Sequence, residues 1–336
     1  MAISWHIRSL RKSLGLFLSI WTCLYFILSI PANANTTSSG STIPFERLER
    51  GQYTIEVRIN DSEPLKFMID TAATRSSIFN KTRLRLGLEM DGENKFINGM
   101  TNSGYRPSAK VKKLSFGRNV FLNHTIIILE DWKDNADNIH GVLGMDVFKG
   151  RIFAFSHKTQ TVEISKHAQY SEPKYKRWKK IRLDENPYPV EKFGLLFTHT
   201  KLGDLHVPTL LDTGSSFSAI NWMSVSGTKI SKERRRLREE WLIQGAVGTF
   251  KPRLRIILEQ TRIGGVEYRY HNFLVMNFDN LPVNNYGEYP LVIAGIDIME
   301  GRDFTLDFIN NTLYIAPKPR KRRLFRSSRL KSKSDE

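Results

Sequence analysis

The chain has 336 residues, of which 40% are hydrophobic and 25% are charged, and its formal net charge is +17. This composition excludes a collagen-like or wholly disordered chain, and the length suits two domains of ordinary size. The only cysteine, Cys23, lies in the apolar N-terminal run, so disulfide and cysteine-ligated metal chemistry are excluded for a processed protein.

The positive charge is concentrated in three segments. Residues 1–34 carry +3, residues 166–182 carry +6 and residues 318–336 carry +7, which leaves about +1 for the rest of the chain. Because the remaining sequence is nearly neutral, the net charge does not indicate a nucleic-acid partner, and we expect none.

The N-terminus has the pattern of a signal peptide. Three basic residues precede an apolar run over 14–30, and the small-residue sequence Pro31-Ala32-Asn33-Ala34 follows. This order predicts a signal peptide over 1–34, cleavage after Ala34, and export to the periplasm or the exterior. An uncleaved membrane anchor is the alternative, since the run approaches the roughly 20 residues that span a bilayer.

The next segment predicts a strand that ends on an aspartate. Residues 53–59 alternate between apolar and polar side chains, and the apolar residues 67–69 run directly into Asp70-Thr71-Ala72-Ala73. Further along, the apolar sequence 141–148 contains Gly144 and is followed by two more short strand patterns.

The same order of elements returns in the second half of the chain. An apolar strand over 209–211 runs into Asp212-Thr213-Gly214-Ser215, and the apolar sequence 291–299 contains Gly295. The separations from aspartate to glycine are 74 and 83 residues in the two halves. A duplication of this kind predicts two homologous lobes built of short strands, an all-β fold.

The predicted boundaries follow from the duplication. The N-terminal lobe covers 45–165, a basic linker 166–188, the C-terminal lobe 189–316, and a solvated basic tail 317–336. One segment within the lobes departs from the strand pattern: the charged residues 231–241 predict an exposed amphipathic helix.

Two aspartates delivered by equivalent strands can meet across a pseudo-two-fold axis. If Asp70 and Asp212 lie within a few ångströms of each other, both cannot stay ionised and the pair shares one proton. One carboxyl then acts as general base on a water and the other as general acid on a carbonyl. The hydroxyls of Thr71 and Thr213 are expected to bond to the backbone of the opposite loop.

These motifs resemble the pepsin and retropepsin superfamily of aspartic proteases, and the bacterial exported retropepsin-like type in particular. The resemblance covers roughly residues 45–316. It implies a bilobal all-β fold with a cleft between the lobes, a polypeptide substrate, and no metal or cofactor. It also implies that Gly144 and Gly295 pack behind the catalytic loops, which Ala72, Gly214 and Ser215 help to shape.

The resemblance further implies a flap, a glycine-bearing hairpin that covers the substrate. Gly99, Gly104 and Tyr105 are the candidates in the first lobe, and Gly245 and Gly248 are the candidates in the second. Glycine-rich tips are also ordinary turns, so the flap assignment and the ordinary turn remain alternatives.

The first tetrad departs from the family pattern. Ala72 stands where the family has glycine, and Ala73 lacks the hydroxyl that Ser215 could offer to its own aspartate. We therefore expect a slightly displaced first loop, with Asp70 holding the shared proton at rest.

Some polar residues near these motifs have ordinary explanations. His199 and His206 flank the second tetrad without a metal-ligand spacing, so we expect surface or packed histidines. Asp146 and Asp297 recur with the repeat, and we expect them to cap a turn or helix start.

The sequence thus predicts a monomeric aspartic endopeptidase that works from acidic to near-neutral pH. A non-catalytic peptide-binding module with a degenerate cleft is the alternative that Ala72 and Ala73 suggest. A third hypothesis is a protein that binds anionic surfaces, such as a membrane, through its basic tail.

Overall fold

The computed structural model describes most of the two predicted lobes. The described residues are 40–98, 103–133, 135–166, 173–184, 194–226, 234–236, 243–245, 249–250, 254–278 and 289–318. The predicted signal peptide and most of the predicted basic tail lie outside them. Within these ranges, no helix has the length and apolar character needed to cross a membrane.

Short strands and two short helices make up the first half of the described chain. In chain order they are β1 (Ser41–Pro44), β2 (Glu46–Arg47), β3 (Tyr53–Ile59), β4 (Leu65–Ile69), β5 (Ser77–Phe79), α1 (Asn80–Arg85), β6 (Asn94–Asn98), β7 (Ser103–Phe116), β8 (Asn119–Leu129), β9 (Gly141–Leu143), α2 (Met145–Phe148), β10 (Ile152–Ser156) and β11 (Thr161–Ser165).

The second half repeats this composition with 3₁₀ helices in place of α-helices. In chain order it contains a 3₁₀ helix (Pro173–Arg177), β12 (Lys179–Arg182), β13 (Phe197–Leu202), β14 (Leu205–Leu211), β15 (Ser218–Ile220), a 3₁₀ helix (Trp222–Ser224), β16 (Arg234–Arg236), β17 (Ile243–Gln244), β18 (Thr249–Phe250), β19 (Leu254–Ile263), β20 (Val266–Val275), β21 (Val292–Ala294), a 3₁₀ helix (Ile296–Met299), β22 (Phe304–Asp307) and β23 (Thr312–Ile315).

Each half forms its own sheet with the same connections. In the first, β4 runs parallel to β9, and β5 lies antiparallel to β9 and parallel to β8. In the second, β14 runs parallel to β21, and β15 lies antiparallel to β21 and parallel to β20. The fold is therefore the bilobal all-β fold that the duplication predicts, and it agrees with the pepsin-like architecture that the resemblance implies.

A third sheet joins the two halves. Its strand order is β1-β11-β10-β22-β23-β12, and β10 pairs antiparallel with β22 at its centre. Phe155 lies opposite Phe304 in this pairing, and their rings stack with centroids 4.5 Å apart. Backbone hydrogen bonds and buried aromatic contacts therefore hold the lobes in a fixed relation.

The strands follow from the alternation of their side chains. In β3, Ile55, Val57 and Ile59 are buried, whereas Glu56 and Arg58 between them are exposed. Successive side chains of a strand point to opposite faces, so one face of β3 enters the core and the other meets solvent.

The long β19–β20 hairpin turns at Gly264-Gly265. Both glycines have positive φ angles, 57° and 80°, and Ile263 pairs with Val266 across the two-residue loop. This conformation matches the right-handed twist of the flanking strands and suits glycine.

Part of the predicted linker is regular structure. β12 pairs antiparallel with β23 at the edge of the shared sheet, and Ile181 in β12 is 1% exposed. Residues 179–182 thus add a strand to the sheet that joins the lobes. The remaining described residues of the linker include the 3₁₀ helix Pro173–Arg177.

The predicted helix over 231–241 is wrong where the structure describes it. Arg234–Arg236 form β16, which pairs antiparallel with β19 at the edge of the second lobe's sheet. An open sheet edge offers backbone donors and acceptors, and a short charged strand is well suited to cover it. The other residues of the predicted helix lie outside the described ranges.

Candidate active site

The two tetrads begin where equivalent strands end. Asp70 follows β4, and its backbone N–H donates to Leu143 O over 3.0 Å. Asp212 follows β14, and its N–H donates to Ala294 O over 2.9 Å. The ladder between parallel strands therefore continues one residue into each loop and fixes where each aspartate side chain begins.

The backbone passes so close behind each catalytic loop that positions 144 and 295 require glycine. A Cβ on Gly144 would lie 2.6 Å from Ala73 O, and one on Gly295 would lie 2.4 Å from Phe217 O. Any side chain at either position would push the loop forward, since real Cβ atoms do not approach oxygen that closely. The structure places both glycines against the loops, as the sequence predicts.

Two threonines tie the loops to each other. Thr71 Oγ1 donates to Leu211 O over 2.7 Å, and Thr213 Oγ1 donates to Ile69 O over 2.8 Å. Both threonines are buried, with exposed fractions of 0% and 2%. Because each hydroxyl donates to the strand that carries the opposite aspartate, the two loops are held in register.

The structure brings the two aspartates together. The carboxyl groups of Asp70 and Asp212 lie close enough for each to affect the pKa of the other. Asp70 also lies against the second loop, because a Cβ on Gly214 would be 2.5 Å from its Cγ. Glycine at 214 thus leaves the space that the opposing carboxyl occupies.

Backbone donors hold each carboxylate within its own loop. Asp70 Oδ1 accepts from Ala72 N over 2.8 Å and from Ala73 N over 3.1 Å. Asp212 Oδ1 accepts from Ser215 N over 3.0 Å. Both alanines of the first loop therefore donate a backbone N–H to the Asp70 carboxylate. The methyl group of Ala72 does not keep Asp70 away from Asp212.

Burial raises the pKa of both aspartates. Hydrogen bonds from Ala72 and Ala73 N–H partly offset the raised pKa of Asp70. The pKa of Asp212 is raised well above its ordinary value, first by burial and then by the negative charge of Asp70. Asp212 is also 6% exposed, whereas Asp70 is partly exposed. Because both pKa values are raised, the two carboxyls favour a state in which they share one proton.

The expectation that Asp70 holds the proton loses one of its premises. It assumed that the Ser215 hydroxyl stabilises Asp212 as an anion. Ser215 Oγ instead donates to Phe217 O over 2.8 Å. The hydroxyl hydrogen is therefore not directed at Asp212.

The first-lobe flap candidates are partly described. Gly104 and Tyr105 lie in β7, where they pair with Ile97 and Phe96 of β6. The Tyr105 ring is 68% exposed and lies 5.1 Å from the Phe96 ring, centroid to centroid. Gly99 lies outside the described residues.

This hairpin and the first catalytic loop share an apolar cluster. Ile97 of β6 and Ala73 of the loop both pack against one apolar cluster. Its buried members are Leu48, Met68, Phe79, Ile127, Leu129, Ile139 and Val142. The placement suits a hairpin that borders the cleft.

The second-lobe candidates are less fully described. Gly245 directly follows β17, which pairs with β18 in a separate two-stranded sheet. Gly248 lies outside the described residues.

The histidines near the second tetrad are surface residues. His199 and His206 are exposed on the β13–β14 hairpin. In the described ranges, no three or more His, Cys, Asp and Glu side chains are grouped so that they could hold a metal ion.

Asp146 and Asp297 were expected to cap a turn or helix start; each lies in the first turn of a helix, but neither helix has a side-chain cap hydrogen bond. The Asp146 carboxylate accepts from Ser76 N and Ser76 Oγ, and that of Asp297 accepts from Ser218 N and Ser218 Oγ. Each aspartate also lies beside a histidine, His124 or His271, whose position the sequence analysis did not single out. Aligning the second strands of the two long hairpins would have shown a histidine at the same place in each repeat.

Comparisons with known proteins agree with this architecture. Residues 55–147 match a family model described as aspartyl protease. The crystal structure of an aspartic proteinase from Irpex lacteus is similar with a TM-score of 0.53 at 12% identity, over 83% of this chain and 98% of that chain. No curated protein sequence matches. The resemblance to pepsin-like and retropepsin-like aspartic proteases is confirmed at the level of the fold and the first lobe.

Proposed function

We propose that this chain, which has the fold of the aspartic proteases, is an endopeptidase whose catalytic pair is Asp70 and Asp212. The observation that carries the proposal is the contact between two carboxyls at the ends of equivalent strands, both with a raised pKa. A fold has no structural need for two buried carboxyls that repel each other, whereas acid–base catalysis uses such a pair.

As part of the proposal, we assign the shared proton to Asp212, the more buried of the two carboxyls, and this gives each aspartate a role. Asp70, as the carboxylate, accepts a proton from a water molecule held between the pair. Asp212, as the acid, donates its proton to the oxygen of the scissile carbonyl. The water oxygen then bonds to the carbonyl carbon, and a neutral tetrahedral diol forms without a covalent bond to the enzyme.

The second step reverses these roles. Asp70 gives its proton to the leaving amide nitrogen, and Asp212 takes one proton back from the diol. The C–N bond breaks, the products are a carboxylic acid and an amine, and the pair returns to its starting protonation. The tight loop geometry favours this exchange because neither carboxyl has to move.

The proposed substrate is an extended polypeptide in the cleft between the lobes. The β6–β7 hairpin borders the first catalytic loop through the shared apolar cluster, so it can cover a bound chain. The exposed Tyr105 ring offers apolar area with a polar tip to that chain.

The structure weakens the argument for a non-catalytic peptide-binding module. It rested on Ala72 and Ala73, yet both donate their backbone N–H groups to Asp70. The first loop thus retains the bonds that a working carboxylate needs.

The proposal is tested by exposing the purified protein to a diverse peptide library between about pH 3 and 7, with mass-spectrometric detection of new termini. We expect internal cleavage that a pepstatin-like inhibitor blocks. Binding of library peptides with no cleavage at any pH would favour the binding module instead.

We also propose that the protein is exported. We expect removal of residues 1–34 during export, which N-terminal sequencing of the protein from its native host would reveal as a new terminus at Asn35. A mature protein that still begins at Met1 would contradict it.

A further inference from the structure

A partly buried hydrogen-bond network lies behind the first catalytic loop. Asp146 accepts from Ser76 N over 2.9 Å and from Ser76 Oγ over 2.8 Å. Ser76 Oγ in turn accepts from Gly144 N over 3.1 Å. His124 completes the network, with its Nε2 3.1 Å from Asp146 Oδ2.

The second lobe contains the same network. Asp297 accepts from Ser218 N over 2.9 Å and from Ser218 Oγ over 2.8 Å. Ser218 Oγ accepts from Gly295 N over 3.2 Å. His271 Nε2 lies 3.1 Å from Ser218 Oγ and 3.5 Å from Asp297 Oδ2.

The two histidines occupy equivalent places in the repeat. Ser77 of β5 pairs with Ile127 of β8, and Ala219 of β15 pairs with Leu274 of β20. His124 and His271 each lie three residues before the paired residue of their strand. The sequence around them differs between the lobes, so the repetition of histidine at one place points to a role that both lobes share.

The charge of each carboxyl decides which atom donates. When Asp146 is ionised its carboxylate can only accept, so His124 Nε2 then carries the hydrogen in this contact. When Asp297 is ionised, the Ser218 hydroxyl donates to Asp297 and His271 Nε2 donates to Ser218 Oγ. Each histidine therefore donates into the Ser–Asp pair.

In each lobe, one further residue connects the network to the catalytic loop. Gly144, held by Ser76, is followed by Met145, whose N–H donates to Ala73 O over 2.8 Å. The equivalent donor in the second lobe is Ile296, whose N–H bonds to Ser215 O over 2.9 Å. Ala73 and Ser215 close the loops that begin at the two aspartates.

We propose that His124 and His271 are positioning residues, which hold the Ser–Asp pairs that fasten the ends of the two catalytic loops. His124 bonds to the aspartate of its pair and His271 to the serine of its pair, and in each lobe the serine fixes the glycine behind the loop. The proposal rests on the proposed function, since it assigns the histidines a part in the geometry of that same carboxyl pair.

The serines themselves are not nucleophiles. Ser76 and Ser218 are both 0% exposed, and each hydroxyl hydrogen is already donated to an aspartate. A substrate carbonyl has no access to either oxygen. The networks thus act on the loops and not on a substrate.

Matched amide substitutions test the positioning role. Glutamine places its amide nitrogen near the position of histidine Nε2, whereas asparagine is shorter and places it near Nδ1, so the two differ in reach but not in chemistry. The variants are H124Q, H124N, H271Q and H271N, with H199Q and H199N at the exposed His199 as controls.

Two measurements are made on each variant. The first is kcat per active site, with active sites counted by titration with a tight pepstatin-like inhibitor. We expect H271N and H124N to lower kcat by about tenfold or more, because small displacements of catalytic groups are costly. We expect H271Q and H124Q to stay within about threefold of the parent, as do both His199 variants.

The second measurement is the pH titration of the two catalytic carboxyls, followed by ¹³C NMR. We expect the titration to shift in the asparagine variants and to keep its parent form in the glutamine variants. A merely structural role would reduce the folded fraction without altering either quantity in the molecules that remain folded.

The outcomes separate this inference from the proposed function. Equal kcat per site and equal carboxyl titrations in the Asn and Gln variants would overturn the positioning role, even with the peptidase intact. If the parent protein cleaves no peptide, the proposed function fails and the carboxyl titrations alone decide whether the histidines position the pair. If H271N does not fold, the H124N and H124Q pair makes the same comparison in the other lobe.

Discussion

Thr71 and Thr213 exchange hydrogen bonds across the boundary between the lobes. Thr71 N donates to Thr213 Oγ1, and Thr213 N donates to Thr71 Oγ1, both over 3.1 Å. Each hydroxyl thereby accepts from one loop and donates to the strand behind it. The relative position of the two aspartates is consequently set by a closed ring of bonds and not by either lobe alone.

The first prediction concerns this ring. The substitution Thr213→Val removes a hydroxyl and leaves Ile69 O and Thr71 N buried without their partner. We expect it to lower the free energy of unfolding by about 1–3 kcal/mol, which is the usual cost of an unsatisfied buried polar group. Urea unfolding measures the change.

Thr213→Ser is the matched control, since it keeps the hydroxyl and loses only the methyl group. It should retain most of the stability and the activity. Equal losses in the Val and Ser variants would show that packing of the methyl group, and not the hydrogen bonds, supports the loops.

The second prediction concerns the space between the carboxyls. In Gly214→Ala the new Cβ would lie 2.5 Å from Asp70 Cγ, so the carboxyl has to move. We expect kcat to fall by about 100-fold, in line with the cost of a displacement of roughly 1 Å.

The reverse change in the first loop is the control. Ala72→Gly removes a methyl group that the loop already accommodates, so kcat should remain near that of the parent. An active Gly214→Ala protein would contradict the close approach of the two loops.

The third prediction concerns stability and pH. The folded state raises the pKa of Asp212, so folding favours the protonated carboxyl and takes up a proton. This contribution to stability is fully present below the ordinary pKa of about 4 and is lost as pH rises through the raised folded value.

In Asp212→Asn the amide stays neutral, so its unfolding free energy should fall less between pH 4 and 7 than that of the parent. Urea titrations at several pH values measure the difference. Asp204→Asn, at the exposed β13–β14 turn, should follow the parent. If the unfolding free energies of all three proteins change with pH in the same way, the folded state does not raise the pKa of Asp212.

The fourth prediction concerns the flap. Tyr105→Ala removes an exposed ring from the β6–β7 hairpin, and we expect KM to rise by about tenfold, which corresponds to roughly 1.4 kcal/mol of lost contact. Tyr270 has the same exposed fraction, 68%, on β20, so Tyr270→Ala is the matched control. A similar KM for both variants would show that this hairpin does not meet the substrate.

The sequence predicted those parts of the fold that local patterns dictate. Asp70 and Asp212 were placed at strand ends because an apolar run directly precedes each of them. Gly144 and Gly295 were placed behind the loops through the resemblance, and the structure gives the reason: there is no room for a Cβ.

The features that were missed depend on long-range contacts. Arg234–Arg236 have the charge pattern of a helix, but the free edge of β19 decides their structure. The assumed contact between the Ser215 hydroxyl and Asp212 is absent because that hydroxyl bonds to Phe217 O, a choice that sequence alone does not reveal. His124 and His271 were overlooked since neither lies next to a motif along the chain.

The most direct test of the central claim is the rate of peptide cleavage in Asp70→Asn and Asp212→Asn, measured beside the parent between about pH 3 and 7. Because each carboxyl performs a proton transfer, we predict that either variant folds normally and loses kcat by about 100-fold or more at every pH. A folded variant of either kind that cleaves at the parental rate would contradict a catalytic pair made by Asp70 and Asp212.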